Sequence, residues 1–127
     1  MHFEAPNAEQ KRWRDQIGEQ ASILSGYRPI QIHHVIGRTA KIKGIGNIGH
    51  LFILPLCKEE HYWIDWGNNG LKLMKERYLS YHGIEDSEKI SDMNLLEIQK
   101  FLFGKLCRQL KPNFGKEFYD EILRWHR

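Results

Sequence analysis

The sequence predicts an α+β fold, mostly helical, organised around a strand–loop–strand–helix unit. Three observations predict it. Apolar residues recur at helical spacing in four separate stretches; two short apolar runs flank a glycine-rich loop; and the second run leads without interruption into residues that nothing prevents from being helical.

The elements follow in chain order. Asn7 and Gln10 form an N-cap and N3 pair, and Trp13, Ile17, Ala21 and Leu24 continue the period, so a first helix is expected over 8–22, ended by Ser25-Gly26. Pro29 to Val35 alternates apolar and polar and reads as a strand that delivers His33 and His34 at its end. Gly37, Gly44, Gly46 and Gly49 mark a long loop, after which Leu51-Phe52-Ile53-Leu54 is expected to pair back antiparallel and to stop at Pro55. A helix from Cys57 to about Trp66 follows, stopped by Gly67-Asn68-Asn69-Gly70. Leu71, Met74, Tyr78 and Tyr81 give a helix closing at Gly83. Asn94 and Glu97 cap another, which carries Leu95, Ile98, Leu102, Leu106 and Leu110 up to Pro112. Phe114, Phe118, Ile122 and Trp125 give the last helix. No repeat or linker divides the chain, so 1–127 reads as one domain with a ββα core over about 28–67 and helical additions at 8–22 and 70–127.

Composition excludes several classes. With 127 residues, 41% hydrophobic and 28% charged, the chain can bury a core unaided, and no run approaches the ~20 apolar residues of a membrane span. The opening MHFEAPNAEQKRWR has no apolar leader, and two cysteines are too few for a disulfide scaffold or a four-cysteine zinc site, so a reducing cytoplasm is expected. The formal charge is only +3, but the charges are unevenly placed. From Gln20 to Lys58 there is no Asp or Glu, whereas Arg28, Arg38, Lys41, Lys43 and Lys58 fall there with His33, His34 and His50. That stretch is a candidate surface for a polyanion.

The informative set is His33-His34 followed by His61 and Asp65. Residues four apart on a helix share a face, and the strand-end pair would confront that face. Taken singly, each histidine reads as an ordinary hydrogen-bonder. Taken together, imidazoles and a carboxylate are suitable ligands for one divalent cation, in a set with the open positions that hydrolytic chemistry requires. Cys57 reads as a small buried hydrophobe rather than a ligand.

The run HHVIGRTAKIKGIGNIGHLFILPLCKEEH resembles the core of the HNH (ββα-metal, His-Me finger) endonucleases. It is most similar to the phage and prophage branch of recombination-enhancement (Ref-like, RecA-dependent) nucleases. His33-His34, Gly37-Arg38, His50, Leu54-Pro55-Leu56-Cys57 and His61 fill that branch's pattern in order, and the likeness covers about residues 28–82. It implies a divalent metal ion, magnesium or manganese before zinc or nickel, and DNA as partner, with a recombinase filament as a further one in that branch. His33 and His61 would be ligands and His34 the general base. Arg28, Arg38, Lys41 and Lys43 would contact phosphates. The third ligand stays open between Asp65, chemically the best, and Asn68 or Asn69. Phe52 stands where many relatives have an asparagine, and His50, two residues earlier, is the candidate to replace it.

Overall fold

A computed structural model describes residues 7–126 and shows an α+β chain, mostly helical, with two small antiparallel sheets; the first six residues, the start of the stretch read as leaderless, lie outside the described part. Helix α1 (Ala8–Gly18) starts with a complete capping box, the Asn7 side chain accepting from the Gln10 amide and the Gln10 side chain accepting from the Asn7 amide. It ends at Gly18, short of the expected residue 22. The reason is tertiary: Ile23 and Leu24 are buried by a turn in which the Ser22 hydroxyl accepts from the Leu24 amide and the Ile23 amide donates to the Pro55 carbonyl.

Strand β1 (Ile30–His34) pairs antiparallel with the last strand, and the intervening loop carries a second hairpin, β2 (Lys41–Ile42) with β3 (Gly46–Asn47), that periodicity did not indicate. Strand β4 (Ile53–Cys57) runs through Pro55, where a stop was expected. The proline opposes Ile32, and its carbonyl accepts from Ile23 on the side away from β1, so a residue without an N–H costs the ladder nothing there. Gly49 closes the loop's base. A Cβ on it would lie 2.1 Å from the Gly37 carbonyl oxygen, so only glycine allows the two ends of the loop to meet.

Helix α2 (Lys58–Trp63) follows β4 directly and tightens into a 3-10 turn at Ile64–Trp66. Gly67-Asn68-Asn69-Gly70 stops that helical run at Trp66 as expected, but it is also the first turn of α3 (Gly67–His82), which was expected to begin only at about Leu71. Gly67 has φ +62°, and a Cβ on Gly70 would lie 1.7 Å from the Trp63 carbonyl oxygen. These glycines therefore serve a sharp change of direction and a close helix crossing. A short α4 (Ser87–Ser91), not expected, precedes α5 (Leu95–Leu110), whose Asn94–Glu97 capping box forms as the sequence predicts. The chain ends in α6 (Lys116–Arg124), with Phe114 and Trp125 just outside its ends.

The β1–β4 pair sits between helices. α1 covers one face, with Gly18 approaching Ile32, while α2 and α5 lie on the other, where Gln99 and His61 meet His33. Phe52, Phe103, Leu102, Ile53 and Leu54 are fully buried; Trp13 packs edge-on to Phe103 and Phe114 and donates its indole N–H to the Leu51 carbonyl (2.9 Å). Among the described residues no helix is long and apolar enough to cross a membrane.

Candidate functional site

The register of the sheet sets the site. His33 opposes Leu54 and His34 opposes Ile53, so β1 is still regular at its last two residues and the adjacent histidines leave it on opposite faces. His33 points between α2 and α5, where it is buried, its Nε2 2.7 Å from Gln99 Oε1 and its ring centroid 4.9 Å from that of His61. His61 is half-buried, and its Nδ1 lies 2.9 Å from Gln31 Oε1. Gln31 sits two residues before His33, hence on the same strand face. His34 points instead to the α1 side, its ring centroid 6.2 Å from that of His50, so only one of the strand-end pair confronts α2 where both were expected to, because β1 stays pleated to its last residue. Arg38, His50, Arg14 and His61 all act electrostatically on it, so the field of His61 reaches both strand histidines.

Both strand histidines are held neutral. Burial lowers the pKa of His33 to about 4; the hydrogen bond to Gln99 and the Asp65 charge oppose that shift, while His61 and His34 reinforce it. Burial also lowers His34 to about 4, reinforced by Arg38, His50, Arg14 and His61. A depressed histidine pKa means that the unfolded chain takes up protons that the folded one refuses, so stability falls as pH drops from about 6.5 towards 4. For His33 alone the shift corresponds to about 3 kcal/mol. Melting temperatures of the metal-free protein are expected to fall across that window, and to fall less steeply in His33→Gln. An identical slope in the variant would show that His33 is not buried neutral.

Asp65 lies in the 3-10 turn rather than on α2, so it does not share the regular helical face with His61 that the spacing suggested. The two nevertheless line one cleft of about 190 Å³, together with Gln31, Lys58 and Tyr62. Asn68 and Asn69 are exposed in the first turn of α3 and do not line it. Arg28, Arg38, Lys41 and Lys43 are all exposed, the last three on or beside the β2–β3 hairpin. Phe52 is a core residue stacked obliquely against Phe103 at 4.9 Å. Cys57 is half-buried and Cys107 buried, both as free thiols.

Among the described residues no three His, Cys, Asp or Glu side chains already converge as a metal cage. The donor chemistry does fit a divalent cation. The Gln99 amide is fixed by its bond to the Leu95 carbonyl, so His33 Nε2 carries a hydrogen towards Gln99 Oε1 and the opposite ring nitrogen keeps its lone pair; the His61 Nδ1 contact with Gln31 leaves Nε2 of that ring on its other side. Ligating histidines are oriented in this way, by a partner on the far nitrogen.

Sequence reading missed three contributors. Gln31 was legible, standing one strand period before His33; Gln99 was signalled by an amide on the apolar stripe of α5. Glu60 is fully buried and accepts from the Ser22 and Ser25 hydroxyls, the Cys57 amide (3.0 Å) and Arg77 Nη1 (3.3 Å). Arg77 also bonds Glu59 at 2.6 Å and lies 4.3 Å over the Trp63 ring. This network ties α2, and with it His61, to α3 and to the 22–27 turn. No local pattern announces it.

Compared with protein-family models, with curated proteins and with solved structures, the chain matches none significantly.

Proposed function

We propose that the chain is a metal-dependent endonuclease of the HNH type that hydrolyses DNA phosphodiester bonds, with β1, β4 and α2 as a ββα-metal core and the other helices as additions. The observation that supports this reading most is the pairing of histidines at the end of β1, His33 with His61 on one face and His34 with His50 on the other, with both strand histidines neutral at pH 7.

In this reading His34 is the general base. Its imidazole can take the proton of an attacking water at neutral pH, and His50 stands beside it as the candidate to replace the asparagine whose position Phe52 occupies. Its low pKa weakens its proton affinity; DNA phosphates facing Arg38 would counter the charge that causes part of the depression. His33, His61 and Asp65 would hold the cation, magnesium or manganese before zinc or nickel. Such an ion, when bound, neutralises charge developing on the scissile phosphate and its leaving oxygen. Gln31 and Gln99 orient the two ring ligands. The resemblance adds a recombinase filament as the partner that would present DNA, and a cytoplasmic setting in a phage-infected or prophage-bearing cell.

Cleavage of supercoiled plasmid and of single-stranded DNA, screened across magnesium, manganese, zinc and nickel, tests the reading. Metal-dependent cleavage by the wild-type protein and its loss in His34→Ala are expected. No cleavage with any of the four metals, or equal cleavage by the variant, would overturn it. The burial of Phe52 in the core favours a second reading, a DNA-binding recombination accessory protein with weak chemistry, which predicts binding without cleavage in the same screen.

The hairpin carries a prediction of its own. Each phosphate contacted releases condensed counterion, so Arg38→Ala, Lys41→Ala and Lys43→Ala are each expected to reduce the log–log salt slope of DNA binding by about 1. Backbone contacts carry no base information, so unrelated sequences should lose affinity equally. Titrations at several salt concentrations check both statements. Wild-type slopes in all three variants would place the DNA elsewhere, and sequence-dependent losses would make the hairpin a base reader.

A further inference from the structure

Gln99 lies on α5, outside the segment that carries the family likeness, and is buried on a helix face otherwise made of Ile98, Leu102, Phe103 and Leu106. An amide there costs stability unless its polar atoms are paired, and an apolar residue would pack at no such cost. Both ends of the amide are paired, in an order that leaves no freedom. Its Nε2 donates to the Leu95 carbonyl at 3.0 Å, and a carbonyl can only accept, so the amide cannot be turned the other way round. Oε1 therefore faces His33 Nε2 at 2.7 Å, and since Oε1 also only accepts, that nitrogen carries the ring's hydrogen.

We infer that Gln99 is a positioning residue: locked by the Leu95 carbonyl, it holds His33 in the Nε2–H tautomer and leaves Nδ1 as the nitrogen offered to a divalent cation. This rests on the reading of His33 as a ligand given above. The chain of contacts runs from the α5 backbone through an amide to an imidazole, so a helix outside the ββα segment sets the state of a residue inside it. In solution a free imidazole exchanges its hydrogen between the two nitrogens; here the exchange would leave two lone pairs facing each other across 2.7 Å.

The test uses the full chain, metal-free and labelled with nitrogen-15. Long-range proton–nitrogen correlation spectra at pH 7 report which ring nitrogen of His33 is protonated, with His33→Gln identifying its signals. Nε2–H alone is expected in the wild type. In Gln99→Met, which fills a similar volume without an acceptor, both tautomers are expected, with calorimetric affinity for manganese or zinc about 10–100-fold weaker. Gln99→Leu likewise removes the acceptor and is expected to show both tautomers; it carries the test if the methionine variant does not fold. A wild-type His33 tautomer in Gln99→Met overturns the positioning role while leaving the ligand reading intact. A changed tautomer with unchanged metal affinity overturns the inference at its premise, by removing His33 from the ligand set.

Discussion

His34→Ala is expected to lower DNA cleavage by about 100-fold or more while leaving the melting temperature and DNA affinity close to wild type. A general base acts on the proton that moves in the transition state, so its loss appears in the rate rather than in ground-state binding. The structure adds a reason for the fold to tolerate the change. His34 is the last residue of β1 and only half-buried, so truncation opens little cavity; its backbone pairing with Ile53 survives. A plasmid-nicking time course, with contaminating nuclease excluded, decides the matter. A variant as active as the wild type would remove His34 from the mechanism. A variant that loses DNA binding in parallel would make His34 a contact residue, with the catalytic base to be sought at His50, whose ring centroid lies 6.2 Å away.

The largest loss of stability is expected from Glu60→Ala. The substitution strips partners from two buried hydroxyls and from the Cys57 amide, and leaves Arg77, closed in by Trp63, with only the exposed Glu59 for its charge. Breaking one side of a buried pair costs on the order of 3–5 kcal/mol, because the remaining charge and dipoles stay desolvated without compensation. In a domain of this size that is a fall in melting temperature on the order of 10 °C or more. Glu60→Gln is expected to cost less, since an amide oxygen can still accept from Cys57 and a serine. Since α2 is set by this network, the alanine variant should also loosen His61 from Gln31. Denaturant unfolding showing a loss below about 1 kcal/mol would mean that solvent reaches the network and that α2 is held by its apolar contacts alone.

The two capping boxes, the antiparallel pairing of the two longer strands and the long apolar stripe of α5 could be read directly from residue order. The caps and the stripe depend on neighbours three or four positions apart and each strand on the period of the pleat, all of them local; that the two strands pair back follows from the glycine-rich loop between them. The gathering of histidines near the end of β1 was legible for the same reason, since a strand ending in His33-His34 and a helix carrying His61 are both local statements. Three other features needed the folded chain. α1 stops early because Ile23 and Leu24 gain more by burial in a turn against β4 than by continuing a helix. Gly67 to Gly70 opens the next helix as well as ending the last because Gly70 is the contact that lets α3 cross the end of α2 at Trp63. That β1 stays regular to its last residue, which keeps the adjacent His33 and His34 on opposite faces, follows from a register that persists to Ile53 and is set by long-range pairing. The partners that orient the site, Gln99 and Glu60, bond to residues 66, 38 and 35 positions away. Such bonds arise only when distant segments are already packed, because it is the exclusion of water by that packing that makes an unpaired amide or carboxylate costly and so selects its partner.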